Sequence, residues 1–260
     1  MEYLHKVEEN TFGDLLWNVP ERASGIINVI GGNASNFRTP VKIAEFLQAS
    51  YPLKSVNLVL PDALSSKLPV LNNVIFLSST EAGSLADGTE IKNIILSADA
   101  NVMIGDLSKN SITKKAIIEA CDFDAEKPLY ISRDTVDIVA DGANDTILMN
   151  ENLVFFATIA QLQKLFRAVY YPKVLLVSQP FIQITETIHK FTLSYPISII
   201  TFHSGQIIIA KNGQIYAVPL DKTHYSMLNL WSGELVARIT ALNLYNPNNF
   251  LNATVLAILL

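Results

Sequence analysis

Ser232, Gly233 and Glu234 are the residues of this chain whose types and spacing are best suited to chemistry. If a helix starts at this point, the backbone N–H groups of Ser232 and Gly233 lack helical partners and can bind phosphate oxygens. The carboxylate of Glu234, in the first turn, can then act as a base on a nearby hydroxyl. Serine followed by an acidic first turn is also how a plain helix begins, and on these residues alone that interpretation is favoured.

Two further segments bring backbone or small side chains to places that a ligand can approach. Gly31, Gly32 and Asn33 follow a β-branched run, but they have neither the spaced triple glycine of a dinucleotide fingerprint nor the lysine of a P-loop. An ordinary strand-to-helix turn therefore explains them better. His203 and Gly205 precede a predicted hairpin that can line an adenine pocket, although a simple sheet edge has the same pattern and is favoured.

The other candidate residues point to structural roles. The acidic series does not have the spacing of a calcium loop and is typical of a solvated face; its members are Asp134, Asp137, Asp141 and Asp145. The histidines show no paired metal-ligand spacing; they are His5, His189, His203 and His224. No Gly-x-Ser-x-Gly turn is present, so the sequence does not support a serine nucleophile of that type.

Apolar runs and helical periodicity alternate along the chain. Strands are predicted over residues 25–30, 56–60, 101–105, 128–131, 174–177 and 197–201. Helices are predicted from Thr39 to Gln48, Thr113 to Ala120, Leu153 to Ala168, and Asn249 to Leu260, with another beginning at Ser232-Gly233. Thr39 is the predicted N-cap of the first helix, and Ser111 or Thr113 that of the second.

The order of these elements predicts an α/β fold. Alternating strands and helices favour a mostly parallel central sheet with helices on both faces, a three-layer α/β/α arrangement. Asn212-Gly213, between the β-rich runs of residues 206–218, is the strongest short-range signal for a late β-hairpin. Because no composition shift marks a linker, we expect residues 1–260 to form one domain, with residues 1–24 as an extension packed on it.

Composition excludes several classes of protein. The 260 residues are 50% hydrophobic, which argues against disorder, and the net charge of −5 without a basic cluster argues against a nucleic-acid binder. The single cysteine, Cys121, excludes a disulfide scaffold and fits a cytoplasmic location; its simplest role is that of a small buried hydrophobe. The apolar C-terminus is shorter than the roughly 20 residues of a membrane span, and the apolar content favours a homo-oligomer.

Four segments, in order along the chain, carry a family resemblance. Residues 25–33 look like a first strand with its glycine turn, and residues 102–106 look like a second glycine-bearing strand end. Residues 128–134 resemble a strand that closes in an Asp-Ala-Asp triplet, in which Asp134 matches the third member. Residues 227–242 resemble Met-Ala-Thr-Gly-Gly-Thr-Gly-Asp and its helix. The chain thus resembles the ADP/ATP-dependent NAD(P)H-hydrate dehydratases of the ribokinase-like superfamily.

This resemblance implies a ribokinase-like fold and a reaction. ADP or ATP, with Mg²⁺, would phosphorylate the hydroxyl of hydrated NADH or NADPH, and loss of the phosphate would restore the dinucleotide. Glu234 would be the base, and Trp231, Ser232 and Gly233 would form the anion hole. The substrate side would be lined by Gly31, Gly32, Asn33, Gly105 and Asp134, and the nucleotide side by His203 and Gly205.

The departures from the family pattern define an alternative. Leu230 and Trp231 occupy the first two glycine positions of the anion hole, and Glu234 replaces the aspartate. Ser132 and Arg133 replace the first two members of the triplet, and residues 147–151 lack the proline and histidine of the family's Thr-Pro-His stretch. The alternative function is therefore a degenerate nucleotide-binding or assembly protein without turnover.

Overall fold

A ten-stranded, mostly parallel sheet forms the centre of the molecule. The computed structural model describes residues 2–7, 13–68, 73–123, 126–220 and 231–260. The strands are β1 (Leu4–Lys6), β2 (Ile26–Gly31), β3 (Ser55–Pro61), β4 (Val74–Leu77), β5 (Ala100–Gly105), β6 (Leu129–Ser132), β7 (Leu153–Phe156), β8 (Ser198–His203), β9 (Gln206–Lys211) and β10 (Gln214–Pro219). Their spatial order is β1-β10-β9-β8-β7-β6-β5-β2-β3-β4.

Helices cover both faces of the sheet, as the alternating pattern predicts. They are α1 (Arg38–Ser50), α2 (Gly88–Leu96), α3 (Ser111–Cys121), α4 (Asp134–Gly142), α5 (Asp145–Leu148), α6 (Ile159–Ala168), α7 (Phe181–Ser194), α8 (Glu234–Tyr245) and α9 (Phe250–Leu259). The buried side chains of α1, α8 and α9 pack on one face, and those of α2 to α7 pack on the other. The three-layer prediction is confirmed. No helix within the described ranges has the length and apolar character needed to cross a membrane.

The central strands are apolar on both faces because both faces are covered. All six residues of β5 are buried. The polar exception is a row of asparagines at one level of three adjacent strands, where Asn28 pairs in register with Asn57 and Asn101. The Nδ2 atom of Asn57 donates to Oδ1 of Asn28 at 2.9 Å, and Nδ2 of Asn28 donates to Oδ1 of Asn101 at 3.2 Å. These bonds satisfy buried polar groups and disfavour a shift of strand register.

The late hairpin is confirmed. Strands β9 and β10 pair antiparallel from Gln206 opposite Pro219 to Lys211 opposite Gln214. The turn residues Asn212 and Gly213 both have positive φ, at 49° and 74°, as a tight hairpin turn with right-handed twist requires. At the other side of β10, β1 adds a parallel edge strand.

Two predicted elements are wrong. Residues 153–168 are not one helix, because the buried apolar run Leu153–Phe156 is strand β7 and the Thr158–Gln161 capping box starts α6. A short apolar run buried on both sides has no period that separates strand from helix. Residues 174–177 are not a strand, since the side chain of Gln179 accepts from the Leu176 N–H at 2.8 Å and folds the segment into a turn.

Two predicted helix starts also differ in detail. Phe37, and not Thr39, is the N-cap of α1, so that Pro40 lies in the first turn and not at its first position. Asn110, and not Ser111 or Thr113, caps α3, because its side chain accepts from the Thr113 N–H at 2.8 Å. Asparagine is as good an N-cap as serine, and the geometry of the preceding loop decides between neighbouring candidates.

Candidate functional site

The strand order reverses between β2 and β5, which makes this place the topological switch point of the sheet. The chain continues from β2 to β3 and β4 on one side, and β5 to β8 follow on the other side. Open parallel sheets bind ligands outside the carboxyl ends of their strands at such a switch point. Here those ends are Gly31 of β2 and Gly105 of β5. Two segments that the sequence singled out are therefore neighbours.

Hydrogen bonds join the two strand ends directly. The Gly32 N–H donates to the Gly105 carbonyl at 2.9 Å, and Nδ2 of Asn33 donates to the Asp106 carbonyl at 2.6 Å. A Cβ atom on Gly31 would lie 2.5 Å from the Gly105 oxygen, so this approach requires glycine at position 31. Gly31, Gly32, Asn33 and Gly105 thus form one packed unit.

Asp134 organises the loop that follows β5. As the first residue of α4, it accepts at Oδ1 from the Asp106 N–H at 3.1 Å and at Oδ2 from the Leu107 N–H at 2.8 Å. Gly105, with φ of 93°, brings these amides against the carboxylate. The structure therefore places Asp134 beside the predicted substrate-side glycines, with both carboxylate oxygens bonded to backbone.

Arg133 connects this loop to the turn before α8. Its Nη2 lies 3.0 Å from Oδ1 of Asp106, and its Nη1 donates to the Trp231 carbonyl at 3.3 Å. The Asp106 side chain is 2% exposed and that of Arg133 is 32% exposed, so the ion pair is largely shielded from water. Arg133 itself has φ of 58°, and Nε2 of Gln161 donates to its carbonyl at 2.8 Å.

The turn before α8 has the local geometry of a helix start with a left-handed cap. Gly233 is the N-cap residue, with φ of 101°, and a Cβ atom there would lie 2.9 Å from Cδ1 of Ile104. Glu234 is exposed at the first helical position, and its N–H donates to Oγ of Ser232 at 3.4 Å. The half-buried indole of Trp231 packs edge-to-face on Phe156, with ring centroids 5.1 Å apart. Residues 227–230, including Leu230, lie outside the described ranges.

His203 and Gly205 lie at the end of β8, on the far side of β7 from β6. Nε2 of His203 lies 3.1 Å from the Gln179 carbonyl. Gly205, with φ of 78°, has no heavy atom within 4 Å of a Cβ position, so its turn borders open space. The contacts described for these two residues reach Gln179 and Leu220. They form a second group beside the one that Arg133 ties together.

Solved structures of other proteins share this architecture. A ribokinase-like superfamily protein from Enterococcus faecalis matches with a TM-score of 0.71 at 14% identity, over 100% of this chain and 87% of that one. The chain has a ribokinase-like fold. The ADP/ATP-dependent NAD(P)H-hydrate dehydratase from Bacillus subtilis, co-crystallised with ATP and Mg²⁺, matches at 0.59 and 13% identity, over 96% and 87% of the two chains.

A pyrophosphate-dependent kinase of the ribokinase family, in complex with a pyrophosphate analogue and myo-inositol, matches at 0.53 and 14% identity, over 91% and 90% of the chains. No protein-family model and no curated protein matches the sequence. Similarity of shape at 13–14% identity establishes the ribokinase-like fold, and not the reaction.

Sequence patterns did not single out Arg133 and Asp106 as site residues. The available signal was a pair of opposite charges, each directly after a buried strand, at Gly105-Asp106 and Ser132-Arg133. Because β5 and β6 are parallel neighbours in this ribokinase-like sheet, their carboxyl ends meet at one edge and the charges can pair.

The site residues fit phosphates better than a resident metal ion. Within the described ranges, no three His, Cys, Asp or Glu side chains come together as metal ligands. Glu234 is an exposed carboxylate at the start of α8. The first amides of α8 lack helical partners and suit an anion.

Cys121 has no place in this chemistry. It is buried between α3 and the sheet, and burial, with a smaller contribution from Asp122, raises the pKa of its thiol to about 12. The thiol is therefore neutral at physiological pH and a poor nucleophile. The residue acts as a small buried hydrophobe, as the sequence predicts.

Proposed function

We propose that the chain binds ADP or ATP, with its phosphates at the start of α8, and transfers a phosphoryl group to the hydroxyl of a small molecule. The observation that carries this proposal is the turn before α8, where Gly233 has a left-handed conformation and packs against Ile104 of β5, and where the exposed carboxylate of Glu234 and the first amides of the helix follow. Amides and carboxylate together suit a phosphoryl donor and a hydroxyl acceptor.

The acceptor that we propose is hydrated NADH or NADPH. Glu234 takes the proton of the hydroxyl as that oxygen attacks the terminal phosphorus, and ADP or AMP leaves. Elimination of the new phosphate ester then restores the reduced dinucleotide and releases inorganic phosphate. Mg²⁺ bound to the nucleotide supplies charge neutralisation for the phosphates. The fold shared with the Bacillus subtilis dehydratase supports this assignment.

The position of Glu234 suits the role of base. Its side chain is exposed, and among the residues that the structure describes no cation forms an ion pair with it. A carboxylate that is neither paired nor buried is free to accept a proton from a bound hydroxyl. Gly31, Gly32 and Asn33, at the switch point, are proposed to line the acceptor side, and His203 and Gly205 the nucleotide side.

A second candidate is a nucleotide-binding or assembly protein without turnover. It is favoured by the Arg133 bond to the Trp231 carbonyl and by the packing of Trp231 on Phe156. These contacts hold a bulky residue where the resemblance places a flexible glycine. A turn that does not rearrange around a transferring phosphoryl group would bind a nucleotide and leave it intact.

One experiment with two measurements separates these candidates. The melting temperature is measured with ADP, ATP and Mg²⁺, since a ligand at 100 times its Kd stabilises the fold by roughly 2.7 kcal/mol. Turnover of hydrated NADH is measured in parallel for the wild type and for Glu234→Gln. Exposed Glu21, in the N-terminal segment, provides the matched control Glu21→Gln.

The dehydratase proposal predicts nucleotide stabilisation in all three proteins. It also predicts loss of turnover by about 100-fold or more in Glu234→Gln alone, the usual cost of removing a general base. Stabilisation without turnover in the wild type would favour the second candidate. No stabilisation by either nucleotide would contradict the dehydratase proposal and a nucleotide-binding role, and would leave the assembly role.

A further inference from the structure

Arg133 holds two loops of the candidate site together through one guanidinium group. Asp106 follows β5, and Trp231 precedes α8, so that the two bonds of Arg133 span from the switch point to the proposed phosphate position. The bond to Asp106 is short and charge-assisted, at 3.0 Å, whereas the bond to the Trp231 carbonyl is longer, at 3.3 Å. An ionised partner makes the Asp106 bond the stronger of the two.

Two buried polar atoms at the end of β6 have no hydrogen-bond partner among the residues that the structure describes. They are Oγ of Ser132, in a residue that is 1% exposed, and Nε of Arg133. Strand alternation puts Ser132 on the face of Tyr130, which α8 covers, and register pairs Ser132 with Phe156, on which Trp231 packs. A hydroxyl and a guanidinium N–H can both donate, so the described residues leave two donors next to the α8 turn without an acceptor.

The backbone at Arg133 is held in an uncommon conformation. A φ of 58° costs a residue with a Cβ atom free energy, and such strain persists only where the surroundings enforce it. Gln161 bonds the Arg133 carbonyl, and Asp134 is fixed by two amides of the β5 loop. These contacts direct the guanidinium toward α8, whose positive end attracts the same anions that a guanidinium binds.

We propose that Arg133 is the phosphate-binding side chain of this site, and that Asp106 competes with the phosphate for it. In the structure the guanidinium pairs with Asp106 and with the Trp231 carbonyl. When a polyphosphate binds, the guanidinium turns its N–H groups to the phosphoryl oxygens. The inference shares with the proposed function the position of the phosphates at the start of α8, and it does not depend on turnover.

If Asp106 and the phosphate compete for Arg133, substitutions of the two residues change the affinity for polyphosphate in opposite directions. Removing the Arg133 cation weakens polyphosphate binding. Removing the Asp106 charge frees the guanidinium and strengthens polyphosphate binding. An ion pair that only stabilises the fold gives the same direction of change for both variants, because either substitution breaks the same contact. The direction of the change therefore separates a phosphate ligand from a structural bridge.

The test measures binding of inorganic pyrophosphate and of ADP, each with Mg²⁺, by titration calorimetry. The variants are Arg133→Met, Asp106→Asn and the double variant, with exposed Arg167→Met on α6 as a control of equal charge change. Arg133→Met alone leaves a buried carboxylate without its cation and is at risk of unfolding. The comparison of Asp106→Asn with the double variant avoids that risk, because the two proteins differ only by the guanidinium.

The proposal predicts that the double variant binds pyrophosphate about 10-fold or more weaker than Asp106→Asn does, which is the loss of one charged hydrogen bond. It also predicts that Asp106→Asn binds tighter than the wild type and that Arg167→Met is unchanged. Equal affinities of Asp106→Asn and the double variant, or weaker binding by Asp106→Asn than by the wild type, would overturn it.

The outcome for ADP separates this inference from the proposed function. If pyrophosphate binds in a way that depends on Arg133, and ADP and ATP do not bind, the role of Arg133 as the phosphate-binding side chain is upheld and the nucleotide-dependent reaction is overturned. Binding of ADP that ignores Arg133 would overturn the inference and leave the reaction in place. A wild-type protein that binds neither probe would overturn both.

Discussion

Three residues with positive φ shape the centre of the candidate site. Gly105, Asp106 and Arg133 have φ values of 93°, 56° and 58°. Such values are costly for residues other than glycine, and the structure offsets the cost with hydrogen bonds to Asp134 and Gln161. The site thus depends on side chains that bond to backbone, and not only on those that face a ligand.

Substitution of Gly105 by alanine tests this dependence. A Cβ atom there would overlap Oδ1 of Asp134, and φ of 93° disfavours any residue but glycine. We expect Gly105→Ala to lower the free energy of unfolding by about 2 kcal/mol or more, measured by urea denaturation.

Gly205 provides the matched control for this substitution. It also has a positive φ, 78°, but no heavy atom lies within 4 Å of its Cβ position. Gly205→Ala should therefore show the conformational strain alone, about 1 kcal/mol. If both variants lose the same free energy of unfolding, the contact of Gly105 with Asp134 contributes nothing to stability.

One carboxylate joins three helices on the same face of the sheet. Asp141 of α4 lies 2.7 Å from Nζ of Lys164 in α6 and 3.3 Å from Nζ of Lys114 in α3. The hydrogen bond from Lys164, followed by that from Lys114, lowers the pKa of Asp141 below its ordinary value of 3.8, although partial burial opposes the shift. Since α4 begins at Asp134, the ion pairs of Asp141 also help to fix the helix that carries this site residue.

The shift determines how the stabilisation by Asp141 depends on pH. A folded-state pKa below the unfolded value stabilises the protein at neutral pH, and this contribution is lost as the pH falls through the folded pKa. We expect Asp141→Asn to lower the urea midpoint at neutral pH and to match the wild type well below pH 3.8. Substitution of exposed Asp14 by asparagine should change the urea midpoint neither at neutral pH nor in acid. A difference that persists in acid would rule out the charge as its cause.

At the scale of the whole molecule, the N-terminal strand closes one edge of the sheet. Strand β1 pairs in parallel with β10, from Leu4 opposite Ile215 to Lys6 opposite Ala217. The ring of Tyr3 stacks on His189 of α7 with centroids 4.0 Å apart. Strand β10, covered in this way, cannot pair with another chain, and the edge strand that remains, β1, has only three residues.

Deletion of residues 2–7 tests the role of this edge. The deletion uncovers the backbone of β10, so we expect a lower melting temperature and concentration-dependent aggregation, followed by light scattering. Replacement of exposed Lys6 by alanine, which keeps the backbone pairing, should have no such effect. A deletion variant that melts and scatters like the wild type would show that β1 is dispensable.

Local sequence signals predicted local structure well and failed where burial removes periodicity. The Asn212-Gly213 turn and the buried run of β5 followed directly from their residues. Residues 153–168 did not, because the buried apolar strand β7 leads almost directly into the amphipathic helix α6 and the capping box at Thr158 is the signal that separates them. Val174 to Val177 have a strand composition, yet Gln179 bonds the backbone that a strand would need to share.

The amino-acid order alone therefore predicted the layers and the hairpin, since the alternation of strand and helix patterns and the Asn212-Gly213 turn are both local signals. Only the folded chain decided that Arg133 meets Asp106, 27 positions away, and Trp231, 98 positions away. These contacts depend on which strands are neighbours in the sheet and on the edge at which the strand ends lie together. No period or motif in the sequence encodes that arrangement, because it results from the packing of both faces of the sheet at once.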